Sequence, residues 1–447
     1  MESSYSARQW DLPQISSHLL AEQPAGGAVP RRRPLDILIV TSEAPPIVSG
    51  ISTCIDRLAT GLMARDHRVR VLSCAQIRRL AFGEWRLSSF VAHWPRIVRQ
   101  LRHFDVVNLH GPVPTMSDVF LWLSDWLPPY VRPAIVYTHH SPIDIQGASR
   151  MSTYYNTLHR ALALRADRIV ASSPHYARQH RSRYGPMVRS IPWGADPRVS
   201  PPARARRAAG ELNVLFVGQM RPYKGVETLL AAAAGQPWLK LTLVGEGAGL
   251  ASYQRIADRL AVTNARFTGR LSDAELQHQY AINDVVVLPS VTPAEAFGPV
   301  LIEGMAAGCV PVTSDLPGVR DIADPTGLIV PAGNPDALRA ALSGLARDTE
   351  QLERLQAASR LAAEPLTWDR CVTSYEGVLL EAARSRYARL HGLTILPQLD
   401  DSGPRLDDSG PRRANSAPGA DLRNGSRMGP HPVPVPEVSA SNAEFGR

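Results

Sequence analysis

Lysine is almost absent from this 447-residue chain: Lys224 and Lys240 are the only two among 49 basic residues, and the rest are arginine. Such a bias usually reflects coding composition, yet it singles out Lys224, which stands in the glycine-flanked loop PYKG at 222–225. Cysteine is scarce as well. Cys54, Cys74, Cys309 and Cys371 are scattered without a CxxC or a neighbouring histidine pair, which argues against a zinc site or a disulfide scaffold and leaves core thiols as the expectation. No apolar run approaches the roughly 20 residues of a membrane span. The first thirty residues, with Trp10, Asp11 and several serines, lack the basic start and apolar block of an export signal. A cytoplasmic protein is therefore expected. The formal net charge of +8 would suit nucleic acid, an anionic membrane or an anionic substrate. Neither a nucleic-acid motif nor an aromatic-basic RNA signature is present, so no nucleic-acid partner is expected. Acidic pairs are missing from strand ends: Asp400-Asp401 and Asp407-Asp408 fall in a Pro/Gly/Ser-rich tail, so no bound metal is expected.

What the chain does have is length, 44% hydrophobic residues and a repeating series of strand-like runs. At this size one core gives way to two. Residues 1–33 are polar and end in three arginines, and residues 393–447 are rich in Pro, Gly, Ser, Asp and Arg, with LDDSGPR at 399–405 repeated at 406–412. Neither stretch can bury a core, and both are expected to be disordered tails. Between them, LDILIVT at 35–41 leads to a helix around Cys54 to Arg65, whose Ile55, Leu58, Ala59, Leu62 and Met63 share one face, and then to VRVLSC at 69–74. DVVNLH at 105–110, AIVYTHH at 134–140 and RIVASS at 168–173 follow. After a Pro/Arg-rich connector at 198–210 the alternation restarts with NVLFVG at 213–218, LKLTLVG at 239–245, ARFTG at 265–269, VVVLPS at 285–290 and CVPVTS at 309–314. These runs lack strict alternation, as strands buried on both faces of a parallel sheet do. The expectation is an α/β chain with two Rossmann-like domains, 34–197 and 211–366, facing a central cleft. A helical segment at 367–392 would cross back to the first.

The densest chemistry lies in EAFGPVLIE at 295–303, two carboxylates around a Phe-Gly-Pro turn that runs on into GMAAGCVPV. Pro299 suits the first turn of a helix, where its missing N–H costs nothing. The amides of Phe297, Gly298 and Val300 would then point out of the helix start, with the positive end of its dipole, toward phosphate or sugar oxygens. Glu303 would lie just over one turn into that helix and Glu295 just before it. Taken alone, a helix cap beside a solvated Glu reads this spacing equally well.

The string VGQMRPYKG, LVGEG, FTGRLSD, DVVVLPS, EAFGPVLIEGMAAGCVPV and GLIVPAGN, in that order within residues 214–331, resembles the retaining GT-B glycosyltransferases of glycosyltransferase family 4. The resemblance covers roughly residues 35–390. It implies transfer of a hexosyl group from a nucleotide-diphosphate sugar, held by the second domain, to an acceptor on the first: a polysaccharide, a lipid-linked glycan or a small metabolite. No cofactor and no metal are implied. Carried over, Glu303 holds the ribose and Glu295 orients the donor sugar without acting as a nucleophile. Gly218, Phe297, Gly298, Pro299 and Val300 supply donor-binding backbone, and Arg221 and Lys224 neutralise the diphosphate. The commonest family pattern has Arg where this chain has Gln219, and Arg221 is taken to replace it on reach. A His at the end of the strand AIVYTHH meets the donor sugar. Its spacing from Thr138 selects His140 over His139. In the first βα loop the family's Gly-Gly is Ser49-Gly50 here, with Gly50 retained for close backbone approach to the donor phosphates or to the acceptor. Gly245 and Gly247 either pack near the base or end a strand.

Two other readings are carried. One is a different GT-B chemistry, a sugar-nucleotide epimerase or a glycosyl phosphorylase; the other is a non-catalytic sugar-nucleotide-binding scaffold. Residues 76–104 carry six Arg against one acid, with Trp85, Phe90, Trp94 and Phe104 interleaved. That composition reads as basic amphipathic helices, either packed with a solvated face or in peripheral contact with an anionic membrane.

Overall fold

The computed structural model describes residues 33–392, apart from 46, 48, 74–78, 83–84, 89, 144–148, 197–209, 296 and 325. The expected tails, save Arg33, and the connector at 198–210, save Gly210, lie outside the described residues, as does Cys74.

The first half builds β1 (Asp36–Thr41), α1 (Gly50–Met63), β2 (Arg68–Ser73), β3 (Arg79–Phe82), β4 (Trp85–Ser88), α2 (Phe90–Leu101) and β5 (Val106–Gly111). It continues with α3 (Ser117–Ser124), β6 (Ala134–His139), α4 (Ser149–Ala163), β7 (Arg168–Ala171), α5 (Pro174–Tyr184) and β8 (Val188–Ser190). The second half holds β9 (Leu212–Val217), α6 (Val226–Ala233), β10 (Leu239–Val244), α7 (Leu250–Arg259), β11 (Ala265–Gly269), α8 (Asp273–Ile282) and β12 (Val285–Leu288). After these come α9 (Pro299–Ala306), β13 (Val310–Ser314), α10 (Val319–Ala323), β14 (Leu328–Val330), α11 (Pro335–Arg347), α12 (Thr349–Ala363) and the long α13 (Trp368–His391).

Two six-stranded sheets result, in the orders β2-β1-β5-β6-β7-β8 and β11-β10-β9-β12-β13-β14, and every pairing in both is parallel. The unbroken apolar runs explain this: β5, β6 and β12 are buried at every residue, so helices must cover both faces. Strand order reverses between β1 and β5 in one sheet and between β9 and β12 in the other. At such switch points the loops leaving the carboxyl ends diverge and open a crevice. One apolar cluster, with Phe216, Leu230 and Leu342, lies wholly within the second half. Another cluster joins Leu58 of α1, Tyr375 and Leu379 of α13, and Leu301 and Met305 of α9 across the two halves.

The two chain crossings lie against each other. Ala195 N donates to Leu366 O at 2.8 Å and Trp368 N donates to Ala195 O at 3.3 Å. A Cβ on Gly194 would come within 2.3 Å of the Thr367 carbonyl carbon, so only glycine lets the strands of chain meet there. Thr367 caps α13, which runs back over α1 and β6.

Two expectations need correction. Met63 is 40% exposed, because it ends α1 one residue, about 100° of helical turn, beyond the buried Leu62. Residues 76–104 are not helical throughout: β3 and β4 pair as an antiparallel hairpin, and among the described residues of this stretch only Phe90–Leu101 is helical. Phe90 and Phe104 are buried and Trp94 packs edge-on against Phe120 at 5.6 Å, so these aromatics face the core. Cys54, Cys309 and Cys371 are buried free thiols. Among the described residues no helix is long and apolar enough to cross a membrane.

Candidate active site

The candidate residues fall on the loops at the two switch points. In the second half, β9 runs into Gly218 and then a single tight turn at Pro222–Lys224. Gly225 ends it in the left-handed conformation at φ 71°, where a Cβ would lie 1.9 Å from Pro289 O. Val291 N donates to Tyr223 O at 2.8 Å. The loop is thus locked to the end of β12, and this brings Lys224 to Glu295 although 71 positions separate them. Lys224 Nζ donates to Glu295 Oε2 in a close ion pair, with side chains only 12% and 8% exposed. Ser290 Oγ donates to the same oxygen at 3.4 Å, and Nζ stands 5.3 Å from the Tyr223 ring centroid. Burial pulls the Lys224 ammonium down, but the Glu295 carboxylate and Tyr223 outweigh it and the net shift is upward. The Lys224 ammonium therefore stays charged at neutral pH. The sequence reading gave Lys224 and Glu295 separate partners; in the structure each is the other's.

Gly298 precedes α9 at φ 70°, and a Cβ there would meet Leu288 Cδ2 at 2.5 Å. Pro299 opens the helix. The amides of Phe297, Gly298 and Val300 have no acceptor among the described residues, whereas the next one, Leu301 N, is bound to Gly298 O at 2.9 Å. The Phe297 side chain is buried in the core. Glu303 is half-buried on α9 and accepts from Tyr280 Oη at 2.8 Å. Its field reaches across to α1: burial, then Cys371, then Glu303 push the Cys54 thiol well up. Arg221 is exposed with no side-chain partner among the described residues, and Gln219 is half-buried. A Cβ on Gly218 would make ordinary contact, 3.5 Å from Phe216 and 3.7 Å from Lys224. Gly245 does abut this loop, since its Cβ would lie 1.9 Å from Gly218 O.

In the first half, Ser49 caps α1 by accepting from Ser52 N at 3.1 Å, and Gly50 is its first residue. Nothing lies within 4 Å of a Cβ on Gly50, so the packing of this chain does not itself require glycine there. His140 follows β6 and lines a pocket of about 200 Å³ with Ser42, Ile51, His110 and Ala294, the neighbour of Glu295. The pocket thus lies where the two halves meet. His139 points to the other side of the sheet, against His180 at 4.4 Å and edge-on to Tyr176 at 5.4 Å between ring centroids. Burial lowers the His140 pKa to about 4. A pocket-lining residue and a partner of Glu303 escaped the sequence reading. His110 ends DVVNLH as His140 ends AIVYTHH, a signal that was available; Tyr280 sits within α8 and carries no such mark.

A basic loop, a buried ion pair and helix-start amides without an acceptor among the described residues, on the loops of two switch-point sheets, define a glycosyltransferase of GT-B fold. The group 1 glycosyl transferase model matches residues 202–362 and the glycosyltransferase family 4 model residues 48–199. The chain belongs to this family. It is 31% identical over 288 residues to the O-antigen chain mannosyltransferase C of Escherichia coli, covering 61% of this chain and 74% of that protein. It is 32% identical over 266 residues to a D-rhamnosyltransferase of Pseudomonas aeruginosa, covering 56% of this chain and 66% of that one. The Anabaena HepE structure in complex with UDP superposes with a TM-score of 0.59 at 18% identity, covering 78% of this chain and 100% of that chain.

Proposed function

We propose that this transferase moves a hexosyl group, with retention of configuration, from a nucleotide-diphosphate sugar to an acceptor held by the first half. The observation that carries the reading is the Lys224–Glu295 pair, next in the chain to Ala294 of the His140 pocket and just before the α9 amides that have no acceptor among the described residues. Glu303, which accepts from Tyr280, is the carboxylate assigned to the ribose hydroxyls, a charged acceptor that strengthens each bond it takes. Diphosphate oxygens meet Arg221, Lys224 and the amides of Gly298 and Val300. As the glycosidic C–O bond breaks through an oxocarbenium-like state, negative charge grows on the departing diphosphate, where these groups stabilise it. Lys224 is then shared between phosphate and Glu295. Glu295 uses Oε2 on Lys224 and Ser290, which suits a carboxylate that orients sugar hydroxyls better than one that attacks carbon. The acceptor enters from the face the diphosphate leaves.

Helix-start amides and basic side chains do the work that a divalent cation does elsewhere, and transfer is expected to persist in EDTA. The mannosyl and rhamnosyl activities named for the relatives fit a hexose or deoxyhexose donor, and the UDP in the HepE complex fits a nucleotide donor. A polysaccharide, a lipid-linked glycan or a small metabolite would serve as acceptor in a cytoplasmic reaction. For residues 76–104, the exposed Arg96, Arg99 and Arg102 favour a second role in surface contact with anionic lipid, electrostatic in nature because Phe90, Ile97 and Leu101 are buried.

The test is a panel of UDP, GDP and ADP sugars. The matching nucleotide should stabilise the protein by about 2.7 kcal/mol at 100 times its dissociation constant, and the product should keep the donor's anomeric configuration in EDTA. An inverted product, or turnover that returns only with added Mg²⁺ or Mn²⁺, overturns the mechanism.

A further inference from the structure

Two histidines reach the pocket, and they touch. His110 Nδ1 lies 3.0 Å from His140 Nε2. Both rings stack on the Trp193 indole, His110 at 6.4 Å and 17°, His140 at 6.0 Å and 15°. Trp193 in turn stacks on Tyr375 of α13 at 5.5 Å and 16°. The stack fixes the ring planes, and the nitrogen–nitrogen contact fixes rotation within them. Burial lowers His110 well below the usual imidazole range, with His140 adding to it, and burial alone does the same to His140. Both rings are therefore neutral at neutral pH, and a neutral imidazole carries one N–H.

One proton must then lie between the rings, with two ways to place it. If His140 donates, His110 carries its own proton on Nε2, a fully buried atom with no partner among the described residues. If His110 donates, Nε2 keeps only a lone pair. In folded proteins a buried N–H without an acceptor is rarer than a buried acceptor without a donor, so the second arrangement is favoured. We propose that His110 is a positioning residue: it donates Nδ1–H to His140 Nε2 and so holds His140 as the Nδ1–H tautomer, a hydrogen-bond donor at the sugar end of the pocket. His140 Nδ1 has no other partner among the described residues. The chemistry complements Glu295. A carboxylate only accepts, so a sugar hydroxyl can give its proton to Glu295 and receive one from His140.

This inference rests on the reading of His140 as a group that meets the transferred sugar, so its test includes a readout that needs no turnover. The full chain is labelled with ¹⁵N-histidine, and long-range ¹⁵N–¹H spectra at pH 7.5 are assigned with His140→Ala and His110→Ala. The wild type should show His140 protonated on Nδ1 and bare on Nε2. His110→Phe keeps an aromatic ring on Trp193 but has no donor, so His140 should shift toward the Nε2–H form and kcat should fall about tenfold or more, with donor KM within about twofold. His110→Asn, whose amide N–H falls near the lost Nδ1–H, should restore the wild-type tautomer and most of kcat. Should His110→Phe fail to fold, His110→Asn set against His140→Ala decides by the same two readouts. An Nε2–H tautomer of His140 in the wild type overturns the proposal. So does wild-type kcat in His110→Phe under conditions where His140→Ala abolishes transfer. Absence of transfer from every donor tested would sink the function proposed above and leave the tautomer measurement standing.

Discussion

Replacing Lys224 by methionine keeps the length of its side chain and removes its charge, so the effect isolates the ion pair. The Glu295 carboxyl would then keep only Ser290 Oγ, at 3.4 Å, as a partner, since Lys224 is its one cationic partner among the described residues. Breaking one side of a buried pair typically costs about 3–5 kcal/mol. The side chains here keep 12% and 8% of their exposure, which places the loss near the low end, about 3 kcal/mol. For a domain of this size about 2–4 °C of melting temperature accompanies each kcal/mol, so Lys224→Met should melt about 6–12 °C lower. Adding Glu295→Gln removes the stranded carboxyl and leaves an amide oxygen for Ser290, and the double variant should recover about two thirds of the loss. Calorimetric melting of the wild type, both single variants and the double variant at pH 7.5 measures the coupling. A Lys224→Met protein that melts within about 1 °C of wild type, or a double variant no better than the single, refutes the reasoning. Binding separates the partners further. Lys224→Met should weaken nucleotide diphosphate about tenfold or more, while Glu295→Gln, which frees the ammonium, should not weaken it at all.

Three further outcomes are expected. Glu303→Gln should weaken nucleotide diphosphate by about tenfold in titration calorimetry, and unchanged affinity removes Glu303 from the ribose. His140→Ala should leave that affinity nearly intact while transfer falls about tenfold or more; His139→Ala should change melting temperature far more than turnover, and the opposite pattern would exchange their roles. His140, His159 and His180 are each lowered by burial to about 4, against an unfolded value near 6.5, so between those values the unfolded chain binds more protons. Stability should thus be complete above about pH 6.5 and fall as pH drops toward 4, by up to ~1.4 kcal/mol per pH unit for each histidine. Urea midpoints that stay level from pH 7 to 5 would contradict this.

The parallel architecture was legible because its signal is local and dense. Val106 to Leu109 and Val285 to Leu288 are apolar or buried throughout, and no antiparallel edge strand reads that way. The hairpin at 79–88 was missed because arginines on both strands mask alternation and leave only the helical spacing of the residues after it. EAFGPVLIE announced its helix through Pro299, but nothing local says that Lys224 reaches Glu295. That contact depends on Gly225 packing under Pro289, a tertiary fact. His140 was separable from His139 only through the family resemblance, by its spacing from Thr138, and successive residues of a strand do face opposite sides. The same rule applied to DVVNLH places Asn108 and His110 on one face, yet the contact between His110 and His140 appears only once β5 and β6 are known to be neighbours.

In α13 the order of synthesis and the order of packing disagree. This helix is made after the entire second half, yet Val372, Tyr375 and Leu379 belong to the apolar cluster that α1 and β1 share. It seats so closely that a Cβ on Gly61 of α1 would lie 2.5 Å from Val372 Cγ2. A chain emerging from the ribosome therefore completes one apolar cluster of its second half, the one built from Phe216, Leu230 and Leu342, before α13 exists, while the first half waits with one flank bare. Truncated products that stop short of Trp368 cannot assemble a finished first domain, whatever fraction of its own residues they contain. Dissecting the protein into working halves thus requires splicing α13 onto the first, because a cut at the crossing divides one fold between two fragments.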